Sequence, residues 1–214
     1  MPFYIFLKGI LMRKEKIIQI LRKTAINYHK NLDNKNFIVI YKEEEKIKYI
    51  QIKFSKGNFL HLTGVQLNKK MSAILFYKKC LNGKISKEEV NLKQDGTTEL
   101  KLQILEMITN ICMTAKMIGQ YNNLRKNLYT EFILGTNYIS LGLIQTHSNF
   151  FIPNTALYEN LKDVVFKSYR IIAIFSKKIN EELYNEICLY KNVKIDNAEI
   201  LQKLNDNIKE IIHE

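Results

Sequence analysis

Seven polar residues of this 214-residue chain have side chains suited to acid–base or phosphate chemistry: His61, Thr63, Lys101, Tyr138, Ser140, His147 and Arg170. Cleavage of RNA without a metal needs a base for the ribose 2′-OH, an acid for the leaving 5′-oxygen and a cation or hydroxyl for the charge that grows on phosphorus. An imidazole suits the proton steps because its pKa lies near neutrality, and a guanidinium suits the phosphate. The set is therefore sufficient for a metal-independent ribonuclease.

Each of these residues also has an ordinary structural interpretation. His61 can equally cap the turn that follows it, and His147 falls in a hairpin turn where we expect it to be exposed. Arg170 interrupts an apolar strand and needs a partner, which a structural carboxylate supplies as readily as a phosphate. Lys101 is typical of surface charge. Three residues are ordinary members of predicted strands: Thr63, Tyr138 and Ser140.

Other chemistries lack their signatures. The chain has no Gly-rich phosphate loop, no GxSxG elbow, no HExxH and no paired carboxylates, which disfavours kinases, dinucleotide enzymes, serine hydrolases and zinc peptidases. The three cysteines (Cys80, Cys112, Cys188) are widely spaced in apolar segments, as is typical of reduced structural thiols. No histidine has a ligand-type partner at helical spacing, so we expect neither a metal nor a cofactor.

The charge of the chain favours a polyanionic partner. It has 33 Lys and Arg against 21 Asp and Glu, a net charge of +12. An abundance of Lys, Asn and Ile is also typical of an AT-rich genome, so codon bias is a competing explanation. The excess lies in residues 1–176, with 27 basic and 13 acidic residues, whereas the rest of the chain is slightly acidic.

The first eleven residues are apolar but do not have the features of a signal peptide. They do not form a membrane span either, since no apolar stretch of the chain reaches the roughly 20 residues that cross a bilayer. Lys8-Gly9 is compatible with a ribosome-binding sequence ahead of Met12. We therefore interpret residues 1–11 as a mis-called extension, and we expect a cytoplasmic protein without membrane contact.

Hydrophobic periodicity predicts the elements of the first half. It indicates a helix over 13–30, an antiparallel hairpin of Phe37–Lys42 with Ile47–Phe54, and a strand at Phe59–Val65 with His61 and Thr63 on one face. Three helices should follow: one capped by Asn68 and running to Leu81, a short one at Ser86–Glu89, and a buried one over Leu100–Ile118.

The second half changes back to strands. These are predicted at Phe132–Leu134, Asn137–Thr146, Phe150–Ile152, where Pro153 ends the run, and Ser168–Ser176, with a short helix around Leu157–Val165 and a final helix capped by Asp196. The order predicts an α+β fold, helices packed on a mainly antiparallel sheet. We divide the chain into the extension 1–11, a main domain 12–178 and a helical appendage 179–214.

Five blocks of the sequence carry a family resemblance: Phe59-Leu60-His61-Leu62-Thr63-Gly64-Val65, then residues 76–85, Asp95-Gly96-Thr97-Thr98-Glu99-Leu100-Lys101-Leu102, Ile152-Pro153-Asn154-Thr155-Ala156-Leu157, and residues 169–177. Together they resemble the phage barnase–EndoU–colicin–RelE-like nuclease domain of the fourth group, over roughly residues 14–178. The first block is the most specific, and the order of the blocks makes the case.

The resemblance implies a barnase–EndoU–colicin–RelE (BECR) fold, carriage by phages or conjugative elements and cleavage of RNA. Four of the candidate residues lie at matching positions: His61, Thr63, Lys101 and Arg170. The chain departs from the barnase pattern, since it shows no obvious glutamate base and His147 lies outside the matching blocks.

Three hypotheses follow. The first is a metal-independent endoribonuclease, a toxin or host-takeover factor, in which His61 is base or acid, Arg170 and Lys101 hold phosphate, and Thr63 or Tyr138 orients the substrate. Ser140 and His147 would complete the substrate-binding set, and an antitoxin would be a partner. The second is a non-catalytic phage protein that binds RNA or a host defence nucleoprotein as an inhibitor. The third is an interaction module whose charge reflects codon bias.

Overall fold

The computed structural model describes residues 12–68, 70–125 and 128–190, and it confirms the α+β fold class with a mainly antiparallel sheet. The helices are α1 (Lys14–Asn31), α2 (Asn58–Thr63), α3 (Ala73–Leu81), α4 (Thr97–Ile108), α5 (Ile111–Thr114) and α6 (Leu161–Val164). The strands are β1 (Lys35–Glu43), β2 (Lys46–Lys53), β3 (Gln66–Leu67), β4 (Val90–Asn91), β5 (Met117–Tyr121), β6 (Phe132–Gly135), β7 (Ser140–Gln145), β8 (Phe151–Leu157), β9 (Val165–Lys178) and β10 (Glu186–Tyr190).

The large sheet closes on itself. Its strand order is β1-β2-β8-β7-β6-β5-β9-β10, and β1 also pairs with β9, so seven strands form a ring with β10 attached to β9. The contact between β2 and β8 is parallel and consists of the single pair Ile52 and Phe151. All other pairings in this sheet are antiparallel. Closure gives each strand one face toward the helices and one face away from them.

The main core lies between the helices and the first of these faces. Residues of α1 to α5 pack there against inward side chains of β1, β2 and β5 to β9, whereas the opposite face has two smaller apolar clusters. Phe59 of α2 lies within the main core. The centroid of its ring is 5.3 Å from that of the Tyr28 ring and 5.4 Å from that of the Tyr77 ring. Burial of aromatic side chains at this density fixes α2 against α1 and α3.

A buried carboxylate helps to hold the same region. The Asp33 side chain is 2% exposed, accepts a hydrogen bond from the Tyr77 hydroxyl (3.1 Å) and lies 3.2 Å from Nδ1 of His29. Burial and the adjacent Asp33 charge raise the pKa of Tyr77 far above its ordinary value, so its hydroxyl stays protonated and donates. The pair therefore links the end of α1 to α3 beneath α2.

Removal of this carboxylate should destabilise the fold. Asp33→Ala leaves the buried Tyr77 hydroxyl without its acceptor, and we expect the free energy of unfolding to fall by about 1–3 kcal/mol. Urea denaturation measures it. Asp163→Ala, which removes an exposed carboxylate, is the matched control and should change the free energy by less than about 0.5 kcal/mol. Equal stabilities of the two variants would contradict this role for Asp33.

Several predicted elements are confirmed. The structure contains the helix predicted over 13–30 (α1), the predicted hairpin (β1 and β2) and the apolar strand predicted at Ser168–Ser176 (β9). β9 is central, since it pairs with β1 on one edge and with β5 and β10 on the other. The cysteines carry free thiols, with Cys80 and Cys112 buried and Cys188 half-buried.

The predicted strand at Phe59–Val65 is wrong, because this segment forms α2. Seven residues are too few to separate a period of 2 from one of 3.6, and the buried residues of α2 are Asn58, Phe59, Leu62 and Thr63, which is helical spacing. The carboxamide oxygen of Asn58 accepts from the backbone N–H (2.8 Å) and the hydroxyl (2.7 Å) of Ser55, so a local turn begins the helix.

The predicted long helix over Leu100–Ile118 is also wrong. α4 stops at Ile108, where Thr109 and Asn110 donate side-chain hydrogen bonds to the carbonyl of Glu106, and α5 follows as a separate short helix. The apolar run then continues into β5. Gly119 is a strand residue rather than a helix end, and a Cβ there would lie 2.4 Å from the carbonyl oxygen of Lys167.

Smaller corrections concern caps and breaks. Ser72 rather than Asn68 caps α3, Ser86–Glu89 forms a turn, and the helix predicted around Leu157–Val165 shrinks to α6. Pro153 lies inside β8 rather than ending it, because the ladder with β7 shifts register there and needs no N–H at that position.

The C-terminal boundary at residue 178 remains a prediction. The chain forms β10 beyond it, where a polar connection is expected from the sequence. Three further predictions depend on residues outside the described ranges. These are the extension 1–11, the start at Met12 as opposed to Met1, and the helix capped by Asp196.

Candidate active site

His61 is displayed at the end of α2. Phe59 and Leu62 bury the inner side of this helix, which leaves the His61 side chain exposed on the outer side. Gly64 ends the helix with φ of +70°, a conformation that glycine adopts without strain, and its N–H donates to the carbonyl of Leu60 (3.3 Å). The helix end therefore holds the imidazole next to a tight turn.

Lys101 of α4 reaches this helix end. Its Nζ donates a hydrogen bond to the backbone carbonyl of His61 (3.2 Å), and one turn earlier the Thr98 hydroxyl donates to the carbonyl of Gly64 (2.8 Å). The lysine stem packs on Gly64, where an added Cβ would lie 2.8 Å from Lys101 Cδ. The ammonium is thus fixed beside the residue that carries the imidazole.

The environment of Lys101 lowers its pKa. Burial of the ammonium is the main cause, the nearby Lys93 charge acts in the same direction and Asp95 opposes them, and the pKa falls to about 8. The Lys101 amine therefore reaches its titration midpoint near pH 8, about one pH unit above neutrality. An amine in this range can bind a phosphate when protonated and can exchange a proton.

An open groove lies near this site. It is lined by Gln66, Asn91, Leu92, Lys93, Gln94 and Asp95, and the charges of Lys93 and Asp95 act on Lys101. The Asp95 carboxylate accepts from the hydroxyl (2.6 Å) and the N–H (3.0 Å) of Thr97, which lowers the pKa of Asp95 and keeps it ionised. None of these groove residues is predicted as a site residue from the sequence, although Asp95 falls within a block of the resemblance.

Thr63 lies two positions after His61 in the chain and is completely buried. Its hydroxyl donates to the carbonyl of Leu60 (2.7 Å) and accepts from the N–H of Val65 (3.3 Å). In this arrangement Thr63 shapes the helix end and does not face solvent.

Arg170 lies on a different surface. Its neighbours in β9, Tyr169 and Ile171, contribute to the main core on the helix-bearing face. Since side chains alternate along a strand, Arg170 points to the other face, where it is exposed and opposite Lys42 of β1. His61 and Arg170 therefore do not share a cleft, which corrects the idea that both contact one phosphodiester.

The predicted substrate-binding residues do not lie together, because they are found at the two ends of β7. Tyr138 is 72% exposed in the turn before β7, and Ser140 at the start of β7 is buried and donates to the carbonyl of Glu159 (3.0 Å). His147 lies beyond the far end of the same strand, where it is exposed. It lines an open pocket with Glu131, a carboxylate that is not among the residues predicted from the sequence.

The basic charge is concentrated around the helices. Described residues of 12–34 and 53–110, which hold α1 to α4, include 15 Lys and Arg against 7 Asp and Glu. The remaining described residues, which hold most of the sheet, have 11 against 9. The positive field therefore belongs to the part of the molecule that carries His61 and Lys101, as attraction of a polyanion requires.

Within the described ranges, no group of three or more His, Cys, Asp or Glu side chains is arranged to hold a metal ion. No helix there combines the length and hydropathy that a membrane crossing needs.

Residues 20–193 match the model of a family described as phage-Barnase-EndoU-ColicinE5/D-RelE like nuclease 4, which covers about four fifths of the chain. The chain belongs to this nuclease family. The α+β architecture is consistent with the BECR fold of such nucleases, and family membership implies a nucleic-acid substrate. No significant match is found among curated proteins or among solved structures.

Two of the five blocks that carry the resemblance meet at the site, since α2 contributes His61 and α4 contributes Lys101. A third block contacts the buried start of α2, where the Asn58 carboxamide donates to the carbonyl of Pro153 in β8 (3.3 Å). The remaining candidate, Arg170, comes from a block on the opposite face of the sheet.

Gly64 offers a test of the site's architecture. Gly64→Ala adds a positive-φ side chain that also meets the Lys101 stem, whereas Gly96→Ala has a similar φ of +74° with open space around it. Both should lose about 1 kcal/mol of stability from the backbone conformation. Only Gly64→Ala should also displace Lys101 and raise its pKa, as measured by NMR titration of the lysine. Equal lysine titrations in both variants would contradict the contact.

Proposed function

We propose that the protein is a metal-independent endoribonuclease that cleaves RNA by attack of a ribose 2′-OH, with His61 transferring a proton and Lys101 holding the phosphate. One observation carries the proposal: the ammonium of Lys101 is fixed at the carbonyl of His61, on the basic part of a molecule from a nuclease family. A phosphate placed against that ammonium would lie near the imidazole.

The reaction needs no group beyond those of the chain and the substrate. The imidazole of His61 accepts the 2′-OH proton as the 2′-oxygen bonds to phosphorus, and Lys101 stabilises the charge on the phosphoryl oxygens. The bond to the 5′-oxygen breaks, and that oxygen takes a proton from protonated Lys101. The products are a 2′,3′-cyclic phosphate and a 5′-hydroxyl, which balances protons and electrons.

The biological setting belongs to the same proposal. The family description refers to phage, which supports an origin in a phage or mobile element. A ribonuclease of that origin would act on RNA in the host cytoplasm as a toxin or host-takeover factor, and an antitoxin would be its expected partner.

A non-catalytic role is the second candidate. Burial of Thr63 and the position of Arg170 remove two of the four predicted catalytic groups from the surface around His61. The protein would then bind RNA or a host nucleoprotein through its basic helices, as an inhibitor of a defence complex. Such binding would weaken steeply as salt rises.

Incubation of labelled RNA with purified protein in excess EDTA separates the two candidates. The endoribonuclease proposal predicts fragments with 2′,3′-cyclic phosphate ends. Salt-sensitive binding without any cleavage would support the second candidate and contradict the first.

A further inference from the structure

A small sheet forms one wall of the groove beside Lys101. β3 and β4 pair in antiparallel register with Gln66 directly opposite Asn91, and both side chains are exposed. The groove between this sheet and the loop 92–95 that leads to α4 has a volume of about 590 Å³, within the usual range of small-molecule sites, about 300–1,000 Å³.

This groove lies next to the proposed catalytic groups. Gln66 follows the last residue of α2, Thr63, by three residues, so at most about 10 Å of extended chain separates the two. On the opposite wall, Lys93 and Asp95 lie close enough to Lys101 for their charges to act on it. A molecule in the groove would therefore extend from the phosphate position at Lys101.

The lining suits the edge of a planar heterocycle. Gln66, Asn91 and Gln94 supply carboxamides, each with donor and acceptor atoms, while Lys93 adds a cation and Leu92 an apolar contact. Nucleobases are recognised in this way, because their edges present in-plane donors and acceptors that carboxamides match. No aromatic residue lines the groove, so hydrogen bonding rather than stacking would select the ligand.

Part of the lining is already oriented. The Asn91 carboxamide nitrogen donates to the carboxamide oxygen of Asn68, whose own nitrogen donates to the carbonyl of Glu88 (2.6 Å). This chain leaves the Asn91 oxygen as the acceptor for a ligand. Asp95 is held by Thr97 through one carboxylate oxygen, which leaves the other as a second acceptor.

We propose that this groove is a nucleobase subsite, which holds the base of the nucleotide whose 2′-OH attacks and selects it through Gln66 and Asn91. The inference rests on the proposed ribonuclease function and assigns its substrate preference.

The test uses four labelled DNA oligonucleotides, each with a single ribonucleotide that carries A, C, G or U. The wild-type protein should cleave after the ribonucleotide, with kcat/KM differing by about 10-fold or more between the best and the worst base. Gln66→Leu combined with Asn91→Leu should reduce that ratio to about 3-fold or less by lowering kcat/KM for the best base. Gln19→Leu, an exposed carboxamide change on α1, should keep the wild-type ratio.

The outcomes test the nucleobase subsite and the ribonuclease function separately. Equal cleavage of all four substrates, or an unchanged preference in the double variant, would overturn the nucleobase subsite and leave the ribonuclease function intact. Failure to cleave these substrates and RNA alike would overturn the ribonuclease function itself. A thermal melt of the double variant shows whether it is folded, and the control variant reports any general effect of an added leucine.

Discussion

His61→Ala should lower kcat for RNA cleavage by about 10²- to 10⁴-fold, since that is the usual contribution of a positioned acid or base. The side chain is exposed and makes no contact with the core, so the variant should fold with nearly unchanged stability. Single-turnover cleavage of labelled RNA, together with a thermal melt, measures both quantities.

His147→Ala is the matched control for this result, because it removes another exposed imidazole, in the turn between β7 and β8. It should leave kcat within about 2-fold of wild type. Full activity of His61→Ala would show that the His61 imidazole takes no part in the reaction. A large loss of activity in His147→Ala would instead favour a catalytic site in the pocket that His147 shares with Glu131.

Lys101→Met should lower kcat/KM by about 10²- to 10³-fold, as is typical when one group that stabilises developing charge is removed. Its pH dependence is more specific. Because the pKa of Lys101 is lowered to about 8, its affinity for phosphate should fall as the pH rises through 8 rather than through the ordinary range near 10.5.

Lys101→Arg provides the control, since a guanidinium stays protonated throughout this range. Binding of 2′-O-methyl RNA, which resists cleavage, should weaken between pH 7 and 9 for the wild-type protein and change much less for the arginine variant. Parallel curves for both would contradict a phosphate contact by the Lys101 ammonium.

The same lowered pKa has a consequence for stability. The folded protein releases the Lys101 proton at lower pH than the unfolded chain does, so between about pH 8 and 10.5 the unfolded state binds more protons. Lys101 should therefore make the fold more stable as pH rises through this window, and that gain should be lost as pH falls through 8. Urea denaturation of wild type and Lys101→Met across the window should differ in slope by this contribution.

The sequence predicts α1 and the β1–β2 hairpin well and the segment Phe59–Val65 poorly, for a physical reason. α1 and the β1–β2 hairpin have enough residues for their period to be unambiguous, and neighbouring charges and turns agree with it. The segment Phe59–Val65 is compatible with both periods over its seven residues. Tertiary burial of Phe59 and Leu62 against α1 and α3 decides for the helix.

The site is also predictable only in part. His61 and Lys101 are predicted as site residues from their residue types and motif positions, and the structure places the Lys101 ammonium against the backbone carbonyl of His61. The face of Arg170 cannot be predicted, since it depends on the register of β9 against β1 and β5 and on closure of the ring. The low pKa of Lys101 comes mainly from its burial in the folded protein, where its stem packs on Gly64, 37 positions away, and local sequence does not encode such a contact.

The most direct test of the account compares Arg170→Ala with His61→Ala under single-turnover conditions with saturating protein and excess EDTA. If catalysis occurs at the junction of α2 and α4, Arg170→Ala should cleave RNA within about 2-fold of the wild-type rate, while His61→Ala loses at least about 10²-fold. A loss in Arg170→Ala as large as that in His61→Ala would contradict the account, because it would place an essential group on the opposite face of the sheet.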